Sequence, residues 1–102
     1  MTRTETGLAV GGELDLATTP QLSEALDEAT AGEGDIVLDV SELTFIDSTG
    51  LRTLLGAIEG MPQDRRLILR ETQPQVIRVF EIAGILGKVE NLVVEGVEQP
   101  EG

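Results

Sequence analysis

A chain of 102 residues without cysteine or histidine has room for one core, and it lacks disulfides, thiolate metal sites and the usual general base. Nineteen acidic residues against seven basic ones give a net charge of −12. That charge repels phosphate backbones and anionic headgroups and argues against direct nucleic-acid or membrane binding.

Residues 1–4 are polar and expected to fray, and residues 1–6 have no apolar segment for a signal peptide. No run approaches transmembrane length, so a cytoplasmic location is expected. Leu8 and Val10 alternate with small residues and predict a strand over 5–11. Gly11-Gly12 breaks it and leads to Glu13-Leu14-Asp15. Thr18 and Gln21 bracket Pro20 with capping-box spacing and predict a helix start. Leu22, Ala25, Leu26 and Ala29 make its apolar stripe, and Gly32 its stop. The β-branched run over 36–40 reads as a buried strand. Leu51, Leu54, Leu55 and Ile58, at i, i+3, i+4 and i+7, predict a helix over 48–59 that ends at Gly60 and Pro62. Leu67-Ile68-Leu69 centres a strand over 66–70. Thr72 and Gln75 then bracket Pro74, opening a helix with Val76, Val79, Phe80 and Ala83 on its inner face and Gly84 at its end. Residues 91–95 read as a last strand and 96–102 as a flexible tail. A single ordered domain over about 5–95 is expected. Strands and helices alternate, so the fold class is α/β with a largely parallel sheet and right-handed crossovers.

Function is expected at the turn between the 36–40 strand and the 48–59 helix, Asp47-Ser48-Thr49-Gly50. With Ser48 as N-cap, the third helical position is Leu51, which cannot reach back as a capping-box partner. The helix end then reads as a hydroxyl above open amide groups and a partial positive charge, where a phosphate on Ser48 would sit near donors. An Asp-Ser-Thr-Gly turn needs no function at all, however, and on the residues alone the plain N-cap reading is the stronger one. Hydrolase chemistry is disfavoured, because Ser48 has no histidine to activate it and Asp47 is merely its chain neighbour. Glu13 and Asp15 read by default as turn residues. If their loop lies beside 47–50, they form an acidic rim around Ser48. Two unit charges 6 Å apart at an effective dielectric of about 20 repel by roughly 3 kcal/mol before screening, so an added phosphate could break a contact that a bare hydroxyl permits.

The sequence resembles the STAS domain of anti-sigma factor antagonists. The resemblance rests on Gly12-Glu13-Leu14-Asp15, on the run from Val37 through Phe45-Ile46-Asp47-Ser48-Thr49-Gly50-Leu51, and more loosely on Arg78, Phe80 and Gly84. It implies a STAS fold, one mixed, mostly parallel sheet packed with about three or four helices. It also implies a mechanism. The unphosphorylated antagonist binds an anti-sigma factor that is also a serine kinase, and so frees the sigma factor. Phosphorylation at the serine after the aspartate, here Ser48 with Thr49 as second choice, reverses this, and a PPM-type serine phosphatase restores the protein. Glu13, Asp15, Asp47, Ser48, Thr49 and Gly50 would form the partner-binding edge, with Asp15 and Asp47 in partner contact or orienting the serine. No catalytic residue, metal or cofactor is called for. The short N-terminal segment implies that a first edge strand of relatives is absent or vestigial, and little chain is left for a terminal helix. Two other functions fit the same fold: an accessory subunit of a membrane transporter, distinguished by its partner, and a nucleotide-sensing module. The latter is disfavoured by the absence of a Walker motif and of any Trp or Tyr.

Overall fold

The computed structural model describes residues 2–4 and 7–97. The elements in chain order are β1 (Thr2–Thr4), β2 (Gly7–Ala9), β3 (Gly12–Leu14), α1 (Thr19–Thr30), β4 (Ile36–Asp39), β5 (Leu43–Ile46), α2 (Ser48–Glu59), β6 (Leu67–Thr72), α3 (Pro74–Ala83) and β7 (Leu92–Gly96). Five strands form one sheet in the order β1-β2-β4-β6-β7, and β3 pairs with β5 in a second, two-stranded ladder. Only β1 runs antiparallel to its neighbour. The mixed, mostly parallel α/β architecture with three helices is the one expected, with the short ladder added to it.

Period-two alternation sets the inner face of the large sheet. Leu8, Leu38, Leu69 and Val94 lie in register across β2, β4, β6 and β7. The first three are buried, and Val94 packs against the same core. Leu22 and Leu26 of α1, Leu51, Leu54 and Ile58 of α2, and Val76 and Phe80 of α3 complete it. The stripes read at helical spacing therefore point inward, except that Ala83 at the end of the third is exposed. On the outer face Val37, Ile68 and Val93 form a half-buried row. Charged pairs flank that row, Arg66 with Asp35 at 3.1 Å and Arg70 with Glu95 at 3.3 Å. Backbone donors hold two outer-face carboxyls below the usual carboxylate range: the Arg66 N–H acts on Asp35 and the Ser41 N–H on Asp39.

Several local expectations give way to the structure. Residues 2–4 form a three-residue edge strand where such a strand was expected to be absent or vestigial. Gly96 closes β7 instead of opening a tail, and the rest of the expected tail from 98 onward lies outside the described residues, as do Glu5 and Thr6. Neither Thr-x-Pro-Gln segment forms a capping box. Thr18 precedes α1 with φ −104° and ψ −16° and makes no side-chain cap bond. Its hydroxyl turns back instead, donating to the Glu13 carbonyl at 2.7 Å and accepting from the Asp15 N–H at 2.9 Å. Thr72 ends β6 fully buried, its hydroxyl on the Leu69 carbonyl at 3.3 Å, and Gln73 is the N-cap of α3. The cause is a bulge. The register shifts between Leu69 and Thr72, with Glu71 at φ 62°, so the inward parity passes from residue 71 to Thr72.

Arg65 closes α1 from a distance. Its buried guanidinium donates to the carbonyls of Thr30 at 2.7 Å and Ala29 at 2.8 Å, and its Nε to the Gly34 carbonyl. The Thr30 carbonyl is one that a helix end leaves without a partner, at the negative pole of its dipole, while that of Ala29 also accepts from the Gly32 N–H at 3.2 Å.

Candidate functional site

The β3–β5 ladder positions the site. Both strands run the same way and pair Leu14 with Ile46, each buried, and the Asp47 N–H donates to the Leu14 carbonyl at 3.0 Å. The next residues, Asp15 and Asp47, therefore leave the ladder side by side at one end. The expected meeting of the 12–17 segment with the 47–50 turn is what the backbone builds, although residues 12–14 belong to a strand and not to a loop.

At this exit the chain turns directly into α2. Asp47, extended at φ −101° and ψ −177°, is the N-cap. Its Oδ1 accepts from Thr49 N–H at 2.9 Å and Gly50 N–H at 3.0 Å, and its carbonyl accepts from Leu51 N–H at 3.0 Å. Ser48 is thus the first helical residue, one place later than the sequence reading put it, and the expectation of an uncapped helix end with open amides is overturned. Of the three helices, α2 is the one with a side-chain cap and the two Thr-x-Pro-Gln helices have none. Asp and Ser are comparably good N-caps, and residue type alone does not separate them.

Gly50 is fixed by close approach. A Cβ there would lie 2.9 Å from the Leu14 Cβ and 3.0 Å from both the Leu14 carbonyl oxygen and the Ile46 Cγ1. The first turn of α2 is wedged against the ends of β3 and β5, and any side chain at residue 50 would push it off. Ser48 is exposed on the opposite side of that turn, while Asp47 and Thr49 are half-buried.

Across the exit, Asp15 is half-buried and turned into its own loop. Its Oδ1 accepts from Ala17 N–H at 3.0 Å and Thr18 N–H at 3.1 Å, and its carbonyl takes the first donors of the following helix. Glu13 is exposed on β3, paired with Phe45. The edge therefore carries three carboxylates, two of them held in place by backbone donors, and an exposed serine hydroxyl that makes no hydrogen bond among the described residues. Sequence reasoning missed the apolar part of this edge: Leu16, at the loop tip, is 75% exposed, and Phe45 is exposed beside Glu13. Period two would put Phe45 on the buried face of Leu43, but the register shifts between the Leu43 and Phe45 pairings and burial runs buried, exposed, exposed, buried from Leu43 to Ile46, so the exposure of Phe45 had no signal in the sequence.

A protein-family model described as "Mlab, STAS domain" matches residues 1–95. The chain belongs to the STAS-domain family. Among its relatives, a protein named anti-sigma-B factor antagonist from Listeria monocytogenes serovar 1/2a is 36% identical over 89 residues, covering 85% of this chain and 78% of that protein. One of the same name from Staphylococcus aureus (strain NCTC 8325 / PS 47) is 36% identical over 78 residues, covering 74% of this chain and 72% of that one. Among the described residues of this STAS domain no helix is long and apolar enough to cross a membrane.

Proposed function

We propose that this chain is an anti-sigma factor antagonist, a regulatory binding protein and not an enzyme, whose partner choice is set by phosphorylation of Ser48. Unmodified, it binds an anti-sigma factor that is also a serine kinase and frees the sigma factor. The kinase transfers the γ-phosphate of ATP to the Ser48 hydroxyl, the complex falls apart, and a PPM-type serine phosphatase returns the protein to its binding form. Glu13, Asp15, Asp47, Thr49 and Gly50 frame the docking edge.

The observation that carries this reading is the exposed Ser48 hydroxyl on a rim of fixed carboxylates. The capped helix end strengthens the charge argument. Because Asp47 already holds the Thr49 and Gly50 amides of α2, a phosphate would find those donors of the helix terminus taken. It would remain on the surface as about −1.5 to −2 of added charge beside an existing anion. The names of the relatives support an anti-sigma factor as the partner.

Incubation with a cognate kinase and ATP is expected to add one phosphate, which peptide mass spectrometry places on Ser48. Placement on Thr49 alone would move the site by one residue, and no incorporation with any candidate kinase would favour the transporter-subunit function. Ser48→Ala is expected to keep kinase binding, whereas Ser48→Glu loses at least about tenfold, half of the unscreened repulsion of a charge pair 6 Å apart. Equal affinities would remove charge as the cause.

A further inference from the structure

Ser48 and Arg52 stand four residues apart on α2, and both are exposed. Arg52 is the only basic residue of that helix. The other arginines whose side chains the structure places near carboxylates or carbonyls are already engaged: Arg65 on three carbonyls, Arg66 on Asp35 and Arg70 on Glu95. Arg52 makes no hydrogen bond or ion pair among the described residues. A chain with nineteen acidic residues thus keeps a free guanidinium one helical turn from its candidate switch.

Helix geometry aims that guanidinium at Ser48. Side chains on an α-helix lean toward its N-terminus and cover the turn before their own Cα. Residues four apart are neighbours on the surface, and an anion N-terminal to a cation is the favourable order for the pair. With a neutral hydroxyl at residue 48, Arg52 has nothing there to hold. A phosphate supplies three acceptor oxygens, and Asp47, which keeps the amides of Thr49 and Gly50, leaves them facing outward.

We propose that Arg52 is the internal clamp of the phosphorylated state, its guanidinium folding back one turn to donate to the phosphate on Ser48. The proposal rests on Ser48 being the modified residue and adds to that reading what the phosphate meets on its own chain. Phosphorylation then changes the edge twice, adding an anion and withdrawing the cation of α2 from any docked partner. The other charges near the phosphate are acidic: Asp47 at the cap, Glu13 and Asp15 on the neighbouring exit, and Asp27 of α1, which shares the α1–α2 groove with Thr53 and Gly56. They raise the second ionisation of the phosphate, and Arg52 opposes them.

The test installs phosphoserine at residue 48 by codon suppression, so that it does not depend on any kinase. The second ionisation is then followed by phosphorus NMR in the full chain at low salt. It lies near pH 6 for an isolated phosphoserine. Arg52→Gln is expected to raise it by about 0.3 of a pH unit relative to the chain with Arg52, the size of an exposed i, i+4 pair. Arg52→Lys restores part of the difference, Arg78→Gln on α3 leaves it unchanged, and about 1 M salt abolishes it. Identical titrations with Arg52 and with Arg52→Gln, or an equal change from Arg78→Gln, would overturn the clamp. A kinase that leaves Ser48 unmodified in the separate incorporation assay would instead sink the phosphoswitch, whatever the titration gives.

Discussion

At the scale of single residues, Asp47 and Gly50 do different work at one helix start, and their replacements should separate it. Asp47→Ala removes the acceptor for two amides and is expected to lower stability by about 1–2 kcal/mol. Asp47→Asn retains the cap and removes the charge, so urea unfolding should be near that of the unsubstituted chain while contact with a partner changes. Loss of stability in Asp47→Asn as large as in Asp47→Ala would mean that charge, not hydrogen bonding, holds the turn. Gly50→Ala places a methyl 2.9 Å from the Leu14 side chain and 3.0 Å from its carbonyl oxygen. It is expected to cost about 1–3 kcal/mol through displacement of the first turn. A neutral Gly50→Ala would show that α2 can slide away from the ladder.

Among the elements, α1 depends on a residue beyond its own sequence. Arg65 donates to the carbonyls at its C-terminal end from 35 and 36 positions away. Arg65→Met fills similar space but leaves the Thr30 carbonyl unpaired and takes one of two donors from Ala29, and a loss of about 1–3 kcal/mol is expected in chemical unfolding. Arg65→Lys should recover little of it, since an ammonium cannot fork across the same acceptors. Hydrogen exchange should place the loosening in the last turn of α1; protection unchanged there would assign Arg65 only a packing role. This long-range cap also marks the limit of what the chain declares locally. Helical stripes such as Leu51, Leu54, Leu55 and Ile58 and the apolar run at 36–40 were legible, because periodicity survives into the core. The β3–β5 ladder was not, because strands of three and four residues carry too little alternation to stand out. The start at Thr18 and the stops at Gly60 and Gly84 were placed correctly, whereas the N-caps of α2 and α3 each fall one residue from the expected Ser48 and Thr72. Ser48 and Asp47 are both good N-caps, and backbone dihedrals choose between them. Thr72 looked like a helix start until a bulge made it the inward residue of β6. At the site, the free amides attributed to the turn are already occupied, because Asp47 holds those of Thr49 and Gly50.

For the whole molecule, the net charge of −12 and the outer-face carboxyls set the response to solution conditions. The Ser41 N–H holds Asp39 below the usual carboxylate range. A lowered folded value contributes stability above the unfolded one, near pH 4, and that contribution is lost as pH falls through the lower folded value. Asp39→Asn should therefore flatten the acid side of the stability profile and leave its slope above about pH 5 unchanged. An equally steep acid limb in the variant would assign acid sensitivity to other carboxyls. Added salt should raise the melting temperature at neutral pH over the first ~0.2 M, since screening of self-repulsion outweighs the weakening of the two exposed ion pairs among the described residues.

The wedge of Gly50 against Leu14 has one more outcome. With no gap between the two exits, the aspartates on either side cannot drift apart like jaws; a visitor meets a rigid ledge, not a hinge. Such a ledge is recognised by fit and polarity at first touch, so capture should proceed at a speed governed by diffusion and ionic strength, without waiting for the fold to rearrange.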